Sequence, residues 1–213
     1  MGKLSYRELN PRSNADINEY VKLENELAKY LDPLKPEFVL TEDEIKIARY
    51  EFGAIEYPIK PVEERAEKTV IFCEDGENVI GFIEVLYYNF NMAEIKKKNA
   101  GTINQIFVRD GYRDGEASYF LLKKGVQKLL EKGFKNAVLN VDDDNPNRFF
   151  HFAMADGNVV DSEMIERTNG DFVYSHKLKV DLNKLNNMSL MDLVKKTAKM
   201  KKQASEIINE QFK

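Results

Sequence analysis

Apolar residues recur along this chain in two rhythms. Between Ala15 and Leu31 they fall at Ile17, Tyr20, Val21, Leu23, Leu27, Tyr30 and Leu31, with Glu and Lys opposite. That spacing predicts a core-facing helix, which Asn14 can cap. A second helix of this kind is predicted from Thr41-Glu42-Asp43-Glu44, a capping box, to about Phe52. The other rhythm is alternation. It is weak in Leu4–Leu9, an edge strand stopped at Asn10-Pro11, and clear in Thr69–Cys73 and Val79–Tyr88, which flank a hairpin loop. Ile103, Ile106 and Val108 mark a further strand. A polar turn with Gly111 and Gly115 follows, then an amphipathic helix to Gly133, a strand at Ala137–Val141 and a helix opened by Asn145-Pro146. Asn158–Glu166 and Asp171–Leu182 alternate on either side of Asn169-Gly170-Asp171, a strong hairpin signal. Ser189 caps a last amphipathic helix from Leu190 to about Phe212. The stretch from about 36 to 66 reads either as the rim of a cleft or as a surface insertion.

Composition narrows this picture. The 213 residues are 43% hydrophobic and 11% aromatic, enough for one large domain, 1–185, with a helical extension, 186–213. The formal net charge of -4 gives no general case for nucleic-acid binding. One cysteine and two histidines leave neither a disulfide framework nor a Cys/His metal cluster. Cys73 sits beside Val70, Ile71 and Phe72 and reads as a buried structural thiol. No run approaches ~18 apolar residues and the N-terminus lacks a signal-peptide core, so a cytoplasmic protein without a membrane span is expected. Between Met188 and Lys213 six lysines face three acids. This basic helix docks on its own acidic domain or on a second copy, as a homodimer; lipid or nucleic acid is the less favoured surface for it.

Candidate chemistry lies in two places. Glu84 shares a strand face with Phe82 and Leu86, and a carboxylate there is either a partnered structural group or a functional one. The turn before the helix that ends at Gly133 is the other. A helix N-terminus leaves N–H groups unpaired and carries about half a positive charge, so it can hold a pyrophosphate without any lysine. His176, on a face with Tyr174, Leu178 and Val180, reads as a polar sheet residue.

The order strand, helix, helix, hairpin, strand, turn, helix, strand, helix, hairpin resembles the GNAT acetyltransferase superfamily over residues 4 to 182. Val79–Glu84 looks like that family's third strand, and Ile106–Arg113 like its fourth strand and the start of its pyrophosphate turn. Leu121-Leu122 through Phe134 looks like the next helix, and Leu139-Asn140-Val141 with Asn145 like the fifth strand and the asparagine beyond it. The turn motif is degenerate. Read from Arg113, its two small positions fall on Glu116 and Ser118; read from Tyr112, they fall on Gly115 and Ala117.

The resemblance implies an α/β (α+β) fold: a mixed, mostly antiparallel sheet flanked by helices, plus the C-terminal amphipathic helix. It implies a CoA-dependent N-acyltransferase that moves an acetyl group from acetyl-CoA to an amine acceptor by direct transfer in a ternary complex. It places the acyl-CoA against Ile106, Phe107, Val108, Tyr112, Arg113, Asp114, Gly115, Glu116, Ala117, Ser118 and Asn145, with the amide of Phe107 or Val108 on the thioester oxygen. Thr102 and Asn104 stand where relatives often carry an acid, which makes Glu84 the candidate base. Phe152-Ala153 stand where relatives often carry a Phe-Tyr pair, which leaves His151 or Tyr119 as candidate acid, or a thiolate that leaves unassisted. The alternative is a catalytically inactive GNAT-like binding or interaction module that makes contact through the C-terminal helix.

Overall fold

A computed structural model describes residues 3–39, 41–42, 45, 68–87, 100–113 and 115–211. The predicted helix beyond Thr41, the irregular stretch to 66, the lysine-rich stretch before Ala100 and Asp114 fall wholly or mostly outside these residues. Of the predicted helix, Thr41, Glu42 and Ile45 are described, and the Ile45 N–H donates to the Thr41 carbonyl at 3.0 Å.

The strands are β1 (Leu4–Glu8), β2 (Lys68–Asp75), β3 (Asn78–Leu86), β4 (Ala100–Val108), β5 (Asn136–Asp142), β6 (Val159–Glu166) and β7 (Phe172–Asp181). The helices are α1 (Asn14–Leu31), α2 (Glu116–Glu131), α3 (Arg148–Met154), α4 (Leu182–Asn187) and α5 (Leu190–Gln211). All seven strands form one sheet in the order β1-β2-β3-β4-β5-β7-β6. Every neighbouring pair is antiparallel except β4–β5. The expected mixed, mostly antiparallel sheet flanked by helices is therefore present.

Each layer follows from its apolar stripe. On one face α1 sets Tyr20, Val21 and Leu23 against Val70, Phe72, Phe82 and Phe107. Its cap is Ser13, one residue earlier than expected, whose hydroxyl accepts from the Asp16 N–H at 3.3 Å. On the other face α2 buries Leu121, Leu122, Val126 and Leu129 against a cluster containing Ile71, Ile83 and Val85. Full burial of a side chain of this size is worth roughly 1.5–3 kcal/mol. Gly125 lets the helix come close, since a Cβ there would lie 2.6 Å from Ile83 Cδ1. Cys73 is fully buried, and burial raises its thiol, as a structural role requires.

Two differences from the sequence reading matter. Helix α4 was not expected; LNKLNN is too short to show a period, and its order comes from Asp181, whose carboxylate accepts from the Lys184 N–H at 2.9 Å. Helix α5 folds back onto α3. Leu193 is fully buried, Met200 packs on the core, and Lys196 pairs with Asp156. The chain's own body thus takes part of the stripe that was also open to a second copy, at Leu193 and Met200. Ser189 and Asp192 close a reciprocal cap at its start, N–H to carboxylate at 3.3 Å and N–H to hydroxyl at 3.1 Å.

Candidate active site

The sheet opens at its centre. β4 and β5 pair only through Ala100–Asn136, Gly101–Ala137 and Thr102–Val138, and beyond these pairs the strands separate. The Arg109 N–H donates to the Ile80 carbonyl at 2.8 Å, so by strand alternation Phe107 also points its backbone groups at β3. The amides of Ile106 and Val108 then face the gap. Of the two residues expected to offer an oxyanion N–H, Val108 is the one so directed, and Phe107 is not. Unpaired backbone groups in such a gap need partners from somewhere.

Two adjoining cavities, about 230 and 270 Å³, occupy the gap and share Leu27, Leu31, Ile106, Asn145 and His151. The first is lined by Phe107, Val108 and Tyr30, by Arg113, Gly115 and Ser118 at the start of α2, and by Thr197 and Lys201 of α5. Gly115 is the N-cap, in the left-handed region at φ 96°, and makes no side-chain capping bond. A helix N-terminus of this kind turns backbone N–H groups and partial positive charge toward the groove. Arg113 lies 3.9 Å from the Tyr30 ring centroid, donates from Nε to the Val108 carbonyl at 2.6 Å and pairs with Asp110 at 2.7 Å.

The second cavity is lined by Glu24, Lys35, Asn104, Gln105 and Asn140 among others. A bulge in β4 creates this corner: Glu84 pairs with Gln105 and Val85 with Ile103, so Asn104 is the extra residue. Glu84 does not reach the cavity. It is 3% exposed. It accepts from the Tyr20 hydroxyl and from Asn104 Nδ2 at 2.5 Å, and lies 3.5 Å from Lys68 Nζ. Glu24, one turn along α1 from Tyr20, is the carboxylate that lines the cavity. Burial raises its carboxyl above the usual range and the Glu84 charge raises it further, while Tyr20, Lys68 and Gln105 offset part of that rise. Burial, and then Glu84, hold the Tyr20 phenol well above its ordinary value.

The expected site residues separate into two groups. Ile106, Phe107, Val108, Arg113, Gly115, Ser118, Asn145 and His151 meet along the groove. Ala117 is buried on the inner face of α2, Tyr112 packs on the same core, and Glu116 is exposed outside the groove. The residues of the turn that line the groove thus come from both registers, Arg113 and Ser118 from one and Gly115 from the other. Tyr119 is a correction: its hydroxyl donates to the Met188 carbonyl at 2.9 Å, and it does not line the groove. His151 is a second. Burial pushes its imidazole down to about 4, so it is neutral where a proton donor would need to be charged. Its Nδ1 is enclosed and has no hydrogen-bond partner among the described residues. His176 is held by Ser162 at 2.8 Å and Asp143 at 3.0 Å, as a sheet residue.

Glu24, Tyr30, Thr197 and Lys201 were missed. The signal for Glu24 was present: Tyr20, Glu24, Leu27 and Leu31 lie on one helical face, so a carboxylate interrupts the apolar stripe. Arg109 has a structural task. It binds Glu19 at 3.0 Å and Glu26 at 2.7 Å, fixing α1 over the sheet. Asp32 fixes the other end of α1, accepting from the Thr168 N–H at 3.0 Å.

Solved structures share this architecture. An N-acetyltransferase from Staphylococcus aureus Mu50 superposes with a TM-score of 0.63 at 12% identity, covering 85% of this chain and 99% of that one. Spermidine N-acetyltransferase from Vibrio cholerae, in complex with CoA and spermine, gives 0.59 at 16%, covering 86% and 98%. The protein yncA from Salmonella typhimurium, with its cofactor acetyl-CoA, gives 0.61 at 10%, covering 85% and 95%. At these identities the likeness concerns the fold. No curated protein matches the chain. Among the described residues no helix is long and apolar enough to cross a membrane, and no cluster could hold a metal ion. Residues 26–152, from the middle of α1 to α3 and so including both walls of the gap, match the acetyltransferase (GNAT) family, and the chain belongs to that family.

Proposed function

We propose that this protein transfers an acetyl group from acetyl-CoA to an amine, with Glu24 as the base. The observation that carries this reading is where the charges of the groove lie. Among the described residues, the charged side chains of the first cavity are the cations Arg113 and Lys201, with the N-terminus of α2 at Gly115, whereas the carboxylate of the groove, Glu24, lines the second together with Lys35. An anionic cofactor and an amine acceptor would enter from opposite ends and meet beside Ile106 and Val108.

The amine nitrogen attacks the thioester carbon, the new C–N bond forms and the C–S bond breaks. The Val108 N–H stabilises the oxygen as charge develops there. The amine proton passes to Glu24. Glu84, behind it, acts through Tyr20 and Asn104 as a positioning residue. The thiolate leaves without help from Tyr119 or a charged His151. A spermine-bound relative and the carboxylate at the acceptor end both favour a cationic amine. We extend the proposal to a homodimer through α5, where Met191 and Val194 stand exposed. Monomeric mass in light scattering overturns that extension.

The main test is calorimetry with CoA and acetyl-CoA, followed by turnover over a panel of amines. Binding with transfer is expected. No binding at millimolar ligand sinks the proposal, and binding without transfer favours an interaction module. Glu24→Gln should lower kcat/KM by about 10²–10⁴-fold with CoA affinity retained. An unchanged rate would remove Glu24 from the mechanism.

A further inference from the structure

The segment that matches the family ends at Phe152, before α5 begins. Yet α5 lines the first cavity with Thr197 and Lys201, one turn apart. Three observations together bear on what they do there. The chain has 36 acidic residues and a net charge of -4, but no described residue of this cavity is a carboxylate. The other cation of the cavity, Arg113, is already committed to Asp110 and to the Val108 carbonyl. Lys201 has no carboxylate partner among the described residues, unlike Lys196, bound to Asp156, and Lys202, 3.7 Å from Glu206. The position of Lys201 is itself set by packing, through buried Leu193 and through Met200.

We infer that α5 is part of the cofactor site, with Lys201 supplying a cation to a phosphate group of CoA in the cavity that Gly115 and Ser118 also line. The inference rests on the acetyl-CoA reading above. A helix N-terminus gives partial charge and directed N–H groups; Lys201 adds a full charge on a mobile stem, suited to a phosphate without strict geometry. The C-terminal extension is thereby a wall of the groove, and cofactor binding and the docking of α5 strengthen one another.

The test compares the binding of CoA and 3′-dephospho-CoA to the full chain and to Lys201→Ala, Lys201→Glu and Lys202→Ala by calorimetry. Lys201→Ala should weaken CoA about three- to ten-fold and Lys201→Glu more, both effects shrinking in high salt, while Lys202→Ala leaves affinity unchanged. If the loss disappears with 3′-dephospho-CoA, the partner is the 3′-phosphate; if it persists, it is the pyrophosphate. Equal CoA affinity in the unchanged protein and both Lys201 variants overturns the inference and leaves the acetyltransferase reading intact. An equal loss in Lys202→Ala also overturns it, since net charge alone would then explain the effect. Failure of the unchanged protein to bind CoA removes both.

Discussion

Glu24 and Glu84 each interrupt an apolar face, and the difference between them is access. Glu84 is closed in by Tyr20, Asn104 and Lys68, whereas Glu24 meets the groove. Its raised carboxyl has two consequences of opposite sign. As a base it must be ionised, so the rate should rise with pH through a value above the ordinary carboxylate range. As a structural group it favours folding when protonated: that stability is present below its unfolded pKa and is lost as pH rises through the folded one. Glu24→Gln should therefore melt at or above the temperature of the unchanged protein at pH 8, although it has lost most of its activity. The advantage should vanish near pH 4, and lower melting at pH 8 would contradict it. His151 has the reverse linkage. Its folded value of about 4 lies below the ordinary 6.5, so its contribution is present above about 6.5 and lost as pH falls through 4. His151→Phe should flatten thermal stability between pH 6.5 and 4. These residues were only partly legible in the sequence, because access depends on a bulge and on a helix end far away in the chain.

The helices and strands were more legible. Among the described residues, their cores lie within a residue or two of where apolar spacing put them, because periodicity reports which face is buried whatever the neighbours are. The misses have local causes. β4 begins at Ala100, earlier than its alternation shows, since Ala100-Gly101-Thr102 carry little apolar signal but make every pair with β5. Helix α4 is set by one cap. The sequence also left open what α5 lies against, because an amphipathic stripe does not name its partner. Leu193 supplies a measure of that docking. Leu193→Ala should cost about 2–5 kcal/mol in denaturant unfolding if α5 is as well seated as the rest of the core. A change under about 0.5 kcal/mol would mean that α5 rests only on the surface.

Across the whole molecule, the family's core and the added helix make a single groove, with Arg113 and Lys201 in one cavity and the Glu24 carboxylate, together with Lys35, in the other. The family resemblance was readable from element order and from the turn after β4. The contribution of α5 was not, since Thr197 and Lys201 are ordinary helix residues until the fold brings them to the cavity that Gly115 also lines. The short β4–β5 junction has a consequence for solvent. Three residue pairs join the half-sheet β1–β4 to the half-sheet β5–β7, and past them water can reach the middle of what would otherwise be a continuous hydrogen-bonded ladder. The Ile106 and Val108 amides should thus exchange with deuterium far faster than those of Phe107 and Arg109 beside them. With CoA bound, an alternating pattern of fast and slow positions along one strand should become uniformly slow, as though the sheet had gained a strand.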